Sequence, residues 1–84
     1  MDHLKKALRR ALPARFGVRK ALDDETRLFS SGLFDSLSVI ALVSFFEEET
    51  GLQVPPAEIT LENFDSINHM VRFARSLADR RVQE

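Results

Sequence analysis

Apolar residues recur at three- and four-residue spacing through the opening stretch DHLKKALRRALPARFG. Leu4, Leu8 and Leu12 align with Ala7 and Ala11, while Lys5, Lys6, Arg9 and Arg10 fall off that stripe. The period predicts an amphipathic helix, ended by Pro13 and then Gly17. From about Ala14 to Asp35 the period is lost, although Phe16, Val18, Leu22, Leu28, Phe29, Leu33 and Phe34 are scattered along it. So long a connection is expected to be functional or to be pinned by its own apolar side chains, with a turn at Ser30, Ser31 and Gly32. A second helix is predicted from Ser36 to about Thr50, with Asp35 as its N-cap and Gly51 as its stop. Leu52 to Pro56 reads as extended, and PAEIT as a single helical turn opened by Pro56. The last helix is predicted from about Ser66 to Ala78 or beyond, on the stripe Ile67, Met70, Val71, Ala74, Leu77 and Ala78. The polar residues after it are expected to fray. No strand pattern or internal repeat is visible. The predicted fold is all-α: three main helices, one short helix and a long loop between the first two.

The second helix departs from simple amphipathicity. At about 100° per residue, Val39, Leu42, Val43 and Phe46 share one face, expected to be core. Leu37, Ile40, Ala41, Ser44 and Glu48 share the opposite face, which a surface helix would normally make polar. Either the long loop covers this second stripe, or Leu37, Ile40 and Ala41 form an exposed apolar strip rimmed by Glu47 and Glu48. The adjoining carboxylates favour the exposed strip, a surface of the kind that receives a partner.

Composition narrows the classes. A chain of 84 residues, 44% hydrophobic, is read as one domain over 1–84. It has no cysteine, which removes disulfides, thiolate metal sites and a cysteine nucleophile. No apolar run has the length of a membrane span and no signal-peptide pattern opens the chain, so a cytoplasmic protein without a membrane partner is expected. The net charge of −1 conceals a gradient. Residues 1–20 hold seven basic side chains against Asp2, whereas residues 21–65 hold ten acids against Arg27. The acidic middle favours basic protein partners over nucleic acid, and the basic first helix reads as a solvated face.

Two near copies, FDSL at 34–37 and FDSI at 64–67, offer the only candidate reactive groups. Asp35 and Asp65 are each expected to open a helix, so either serine can be a first-turn residue and nothing more. Their contexts differ. Ser66 begins an ordinary amphipathic helix, whereas Ser36 follows a long loop and heads the helix with two apolar faces. An anionic group attached at Ser36 would lie near the positive end of the helix dipole and beside the Leu37/Ile40/Ala41 strip. Asp35 would oppose a second negative charge there, so a bound cation is expected during attachment. His3 and His69 form no triad with either serine, no glycine-rich elbow surrounds them, and no set of side chains has metal-ligand spacing. Catalytic and metal residues are therefore expected to be none.

The stretch LFSSGLFDSLSVIALVSFFEEETGLQVPPAEITLENFDSI resembles the acyl and peptidyl carrier protein family. Leu28–Phe29, Gly32, the Asp35–Ser36–Leu37 signature, the acidic end of the second helix, Val54–Pro55 and Glu62–Asn63–Phe64 follow in the family's order. The resemblance implies an acyl-carrier-like four-helix bundle. It implies that Ser36 receives 4′-phosphopantetheine from coenzyme A, through a separate phosphopantetheinyl transferase using Mg²⁺, with Asp35 and Leu37 beside the attachment point. The chain would then be a non-catalytic, monomeric carrier holding acyl or aminoacyl groups as thioesters. It would serve a loading ligase or transferase and downstream synthase enzymes. The family docks partners on its second helix; the matching positions are Leu37, Ile40, Ala41, Ser44, Glu47 and Glu48. Ser38 and Ala41 stand where fatty-acid carriers usually have acids, which implies a more hydrophobic docking mode. Leu33–Phe34 replace the Gly-Gly common in carriers embedded in peptide synthetases. A discrete carrier of a specialised polyketide or nonribosomal-peptide type, or of an amino-acid loading system, is the expectation. An unmodified helical interaction module of the same fold is the alternative.

Overall fold

The computed structural model describes residues 2–18, 23–32 and 34–82, with backbone alone at 36, 81 and 82. Among the described residues there are four α-helices and no strand: α1 (Asp2–Arg15), α2 (Ser36–Thr50), α3 (Leu61–Phe64) and α4 (Ile67–Val82). A 3₁₀ turn, Pro56–Glu58, precedes α3. Helix α4 packs against α1 and α3, and α1 also packs against α2.

Helix α1 buries Leu4, Leu8, Ala11 and Leu12, the predicted stripe. It differs from expectation in running past Pro13. Proline removes one intrahelical donor, and Pro13 is exposed, so the loss is confined to one bond at the helix surface. The stop is Gly17 at φ 70, a left-handed conformation that frees the chain to turn. Beside it the Phe16 N–H donates to the Ala11 carbonyl at 3.3 Å and the Val18 N–H to the Leu12 carbonyl at 3.1 Å. The basic face is not wholly solvated. Arg9 donates to both carboxylate oxygens of Asp24, at 3.0 and 2.7 Å, and Lys5 approaches at 3.2 Å, tying the loop to α1.

The long loop is pinned as expected, with Val18, Leu28 and Phe34 in the core and Phe16 and Phe29 packed against it. Leu22 and Leu33 lie outside the described residues.

Helix α2 has the predicted bounds because both ends are determined locally. The Asp35 carboxylate accepts from the Ser38 N–H at 3.0 Å, and Gly51, at φ 69, donates to the Glu47 carbonyl at 2.8 Å. Its inner face buries Leu42, Val43 and Phe46, with Val39 partly covered. Phe45 joins the core although it lay off the predicted face. The end of α1 covers it: the Arg15 guanidinium sits 5.1 Å over its ring, and Phe16 meets it edge-on. The centre of the bundle is a mutual cluster of Phe46, Phe64 and Phe73, from α2, α3 and α4, with ring centroids 5.5–5.7 Å apart.

The single helical turn expected at PAEIT is present, and a second turn that was not expected follows it. Pro56 starts only a 3₁₀ turn, and Thr60 returns to extended backbone before α3 begins at Leu61. The burial of Phe64 places this second turn, with the Asn63 side chain donating to the Glu58 carbonyl at 2.8 Å. At the other end, α4 continues through Asp79 to Val82 instead of fraying. Arg80 reaches back to Glu58 at 2.8 Å, a partner distant in sequence.

Candidate functional site

The two Phe-Asp-Ser motifs, expected to cap their helices alike, do different jobs. Asp35 is an N-cap in extended backbone, and its carboxylate also accepts from the Ser38 hydroxyl. Asp65 does not cap α4. Its side chain is buried, 2% exposed, and turns away to the loop ahead of α2. There it accepts from the Phe29 N–H at 2.8 Å, the Ser30 N–H at 3.0 Å and the Ser30 hydroxyl at 2.5 Å. Arg27 stands 3.5 Å away. With Asp65 so engaged, Ser66 takes the capping role: its hydroxyl accepts from the His69 N–H at 3.1 Å.

Burial disfavours the Asp65 carboxylate charge, but the Ser30 hydroxyl, the Ser30 and Phe29 amides and Arg27 outweigh it and hold the carboxyl below its ordinary value. Because the folded value lies below the unfolded one, the resulting stabilisation is complete above the ordinary carboxylate range. It is lost as pH falls through the lowered value. Asp65→Asn is therefore expected to cost about 2 kcal/mol at neutral pH, with the gap to wild type closing below about pH 4. Urea denaturation across that range checks it; a gap independent of pH would contradict an ionised Asp65.

Around the head of α2 the loop is tightly built. Gly32, at φ 85, donates to the Phe29 carbonyl at 3.1 Å, and Ser31 bonds the Arg27 carbonyl. The Phe34 N–H donates to the Leu28 carbonyl at 2.8 Å, and the Phe34 ring contacts Phe29 and Phe16. The chain then leaves this packed corner at exposed Asp35 and enters α2 at Ser36.

Downstream, Leu37 is 78% and Ile40 69% exposed, and Ala41, Ser44 and Glu48 are exposed beside them. The helix thus presents an apolar strip to solvent. Glu47 is half-buried and turned off that face, accepting from the Val54 N–H at 2.8 Å, while Glu49 meets His3 at 2.9 Å. Of the three glutamates, Glu48 is the fully exposed one.

One contact was invisible to spacing rules. The Ser66 hydroxyl lies within 2.5 Å of His69 Nδ1, superficially a nucleophile with its base. Ser66 has no accessible surface, however, and its oxygen already accepts from the His69 backbone. The pair is thus enclosed and closes the start of α4. Among the described residues no group of three or more His, Asp or Glu side chains is placed to hold a metal ion, and no helix is long and apolar enough to cross a membrane.

A family model described as "Phosphopantetheine attachment site" matches residues 3–74. Over 61 residues the chain is 31% identical to "Probable acyl carrier protein PigG" of Serratia sp. (strain ATCC 39006), a match covering 73% of this chain and 70% of that protein. The family's cofactor is covalently attached 4′-phosphopantetheine, and its members work with phosphopantetheinyl transferases and biosynthetic enzymes. The all-helical bundle, helix α2 capped by Asp35 and these two matches agree: the chain belongs to the phosphopantetheine-binding acyl carrier protein family.

Proposed function

We propose that Ser36 is the residue modified with 4′-phosphopantetheine and that the chain is a non-catalytic carrier of acyl or aminoacyl groups, with α2 as its docking helix. The observation that carries the assignment is the contrast between the two motifs. Ser36 heads α2 between exposed Asp35 and exposed Leu37, whereas Ser66 is fully buried and spent on a helix cap.

In the modification step the Ser36 hydroxyl oxygen bonds to the β-phosphorus of coenzyme A. The pyrophosphate P–O bond breaks, 3′,5′-adenosine bisphosphate leaves, and the hydroxyl proton passes to the transferase. The attached group supplies a terminal thiol for thioester formation, which this cysteine-free chain lacks. The residues present fit such a group. The amide-rich start of α2 favours a phosphodiester anion. The Ser38 amide and hydroxyl hold Asp35 in its cap, and the Leu37/Ile40/Ala41 strip leads away from the attachment point along solvent.

Ser38 and Ala41, in place of acids early in α2, support a specialised pathway whose enzymes dock chiefly through apolar contact.

Incubation with coenzyme A and a phosphopantetheinyl transferase is expected to add one phosphopantetheine to the intact mass. Ser36→Ala abolishes the gain and Ser66→Ala retains it. A gain that survives Ser36→Ala would overturn the assignment, and no gain in wild type would favour an unmodified interaction module.

A further inference from the structure

Among the described residues, the loop between α1 and α2 has no helical ladder of hydrogen bonds, yet it delivers Ser36. Every residue from Arg27 to Ser30 gives a donor to Asp65. The Leu28 N–H meets its backbone carbonyl at 2.6 Å. The Phe29 and Ser30 N–H groups share Oδ1, and the Ser30 hydroxyl and Arg27 converge on Oδ2. Burying a carboxylate is costly unless donors surround it, so this clasp is an all-or-none arrangement.

Its position passes on toward Ser36. The Leu28 carbonyl holds the Phe34 amide, the Phe29 ring stands edge-on to Phe34 at 5.5 Å, and Asp35 follows as the cap. The bundle has separate supports: α2 keeps its cap, its Gly51 stop and its share of the Phe46/Phe64/Phe73 cluster without the clasp. Loosening the clasp therefore frees the loop more than it unfolds the helices.

We infer that Asp65 is a positioning residue for modification of Ser36, holding Arg27–Ser30, and through Leu28 the Phe34 amide, in the arrangement the transferase recognises. This rests on the assignment of Ser36 above. A protein whose recognised state is only fractionally populated binds more weakly by that fraction, while turnover of the bound complex is unchanged. The effect thus falls on KM for the carrier and spares kcat.

The experiment is steady-state modification by a phosphopantetheinyl transferase with coenzyme A, varying the concentration of apo protein. Asp65→Asn is expected to raise KM about ten-fold with kcat within about two-fold, and Ser30→Ala to raise KM about three-fold. Amide exchange at Phe29 and Ser30 should quicken in both variants. Leu77→Ala, roughly three turns further along α4, serves as the destabilised control and is expected to keep the wild-type KM. Wild-type KM in folded Asp65→Asn, or an equal rise in Leu77→Ala, overturns the inference. Should Asp65→Asn not fold, Ser30→Ala decides: unchanged KM with faster exchange at Phe29 overturns it. Modification mapping to a residue other than Ser36 overturns the functional reading as well. Modification at Ser36 with unchanged KM overturns the positioning role alone.

Discussion

Phe46→Ala is expected to lower stability by about 4 kcal/mol and the melting temperature by more than about 15 °C. Phe46 is fully buried and faces both other members of the aromatic cluster, edge-on to Phe64 at 5.5 Å and stacked on Phe73 at 5.7 Å. Truncation removes the transfer free energy of a benzyl group, leaves a cavity between three helices, and forfeits two aromatic pairs of about 1 kcal/mol each. A domain of this size has roughly 5–10 kcal/mol in total, so much of the population would unfold on mild heating. Because Phe46 anchors the inner face of α2, the outer strip would lose its rigid backing too. Calorimetry or urea unfolding measures this directly. A loss below about 1.5 kcal/mol would mean that the cluster is not the jointly packed centre described above.

Ile40→Asp is expected to slow loading by a partner enzyme by about thirty-fold or more while leaving helicity and melting temperature near wild type. In the free protein Ile40 is 69% exposed, so replacing it costs only a few tenths of a kcal/mol. In a complex seated on the strip, the aspartate would be buried without a partner charge. Apolar anchors at interface centres are worth about 2 kcal/mol or more, which corresponds to a rate ratio of this size. Ala41→Arg should act similarly, whereas Glu48→Lys at the rim should alter mainly the salt dependence. Loading rates indistinguishable from wild type in both Ile40→Asp and Ala41→Arg would remove α2's outer face as the docking surface.

What the chain makes legible follows from the range of the forces involved. Helix α2 could be bounded to the residue because Asp35 and Gly51 act on amides and carbonyls within one turn of themselves. The open face of α2 was visible as apolar positions in excess of what one buried face can use. Pro13 misled because a single lost hydrogen bond on an exposed face does not end a helix whose inner stripe is buried. The end of α4 depends on Arg80 meeting Glu58, and that of α3 on Phe64 entering the aromatic cluster; neither partner is near in sequence. Asp65 is the clearest case. Its neighbours match those of Asp35, so local rules assign both the same cap. The choice between capping α4 and clasping Ser30 is made by donors 35 positions away. Once Asp65 is taken, the adjacent hydroxyl of Ser66 assumes the cap.

Peptide mapping of the modified protein distinguishes the two motifs. Cleavage after glutamate separates the two serines, since Glu47, Glu48, Glu49, Glu58 and Glu62 all lie between them. Phosphopantetheine is expected on the fragment holding Ser36, localised by fragmentation to that residue, with the fragment holding Ser66 unmodified. Phosphopantetheine on the Ser66 fragment would contradict the assignment of Ser36.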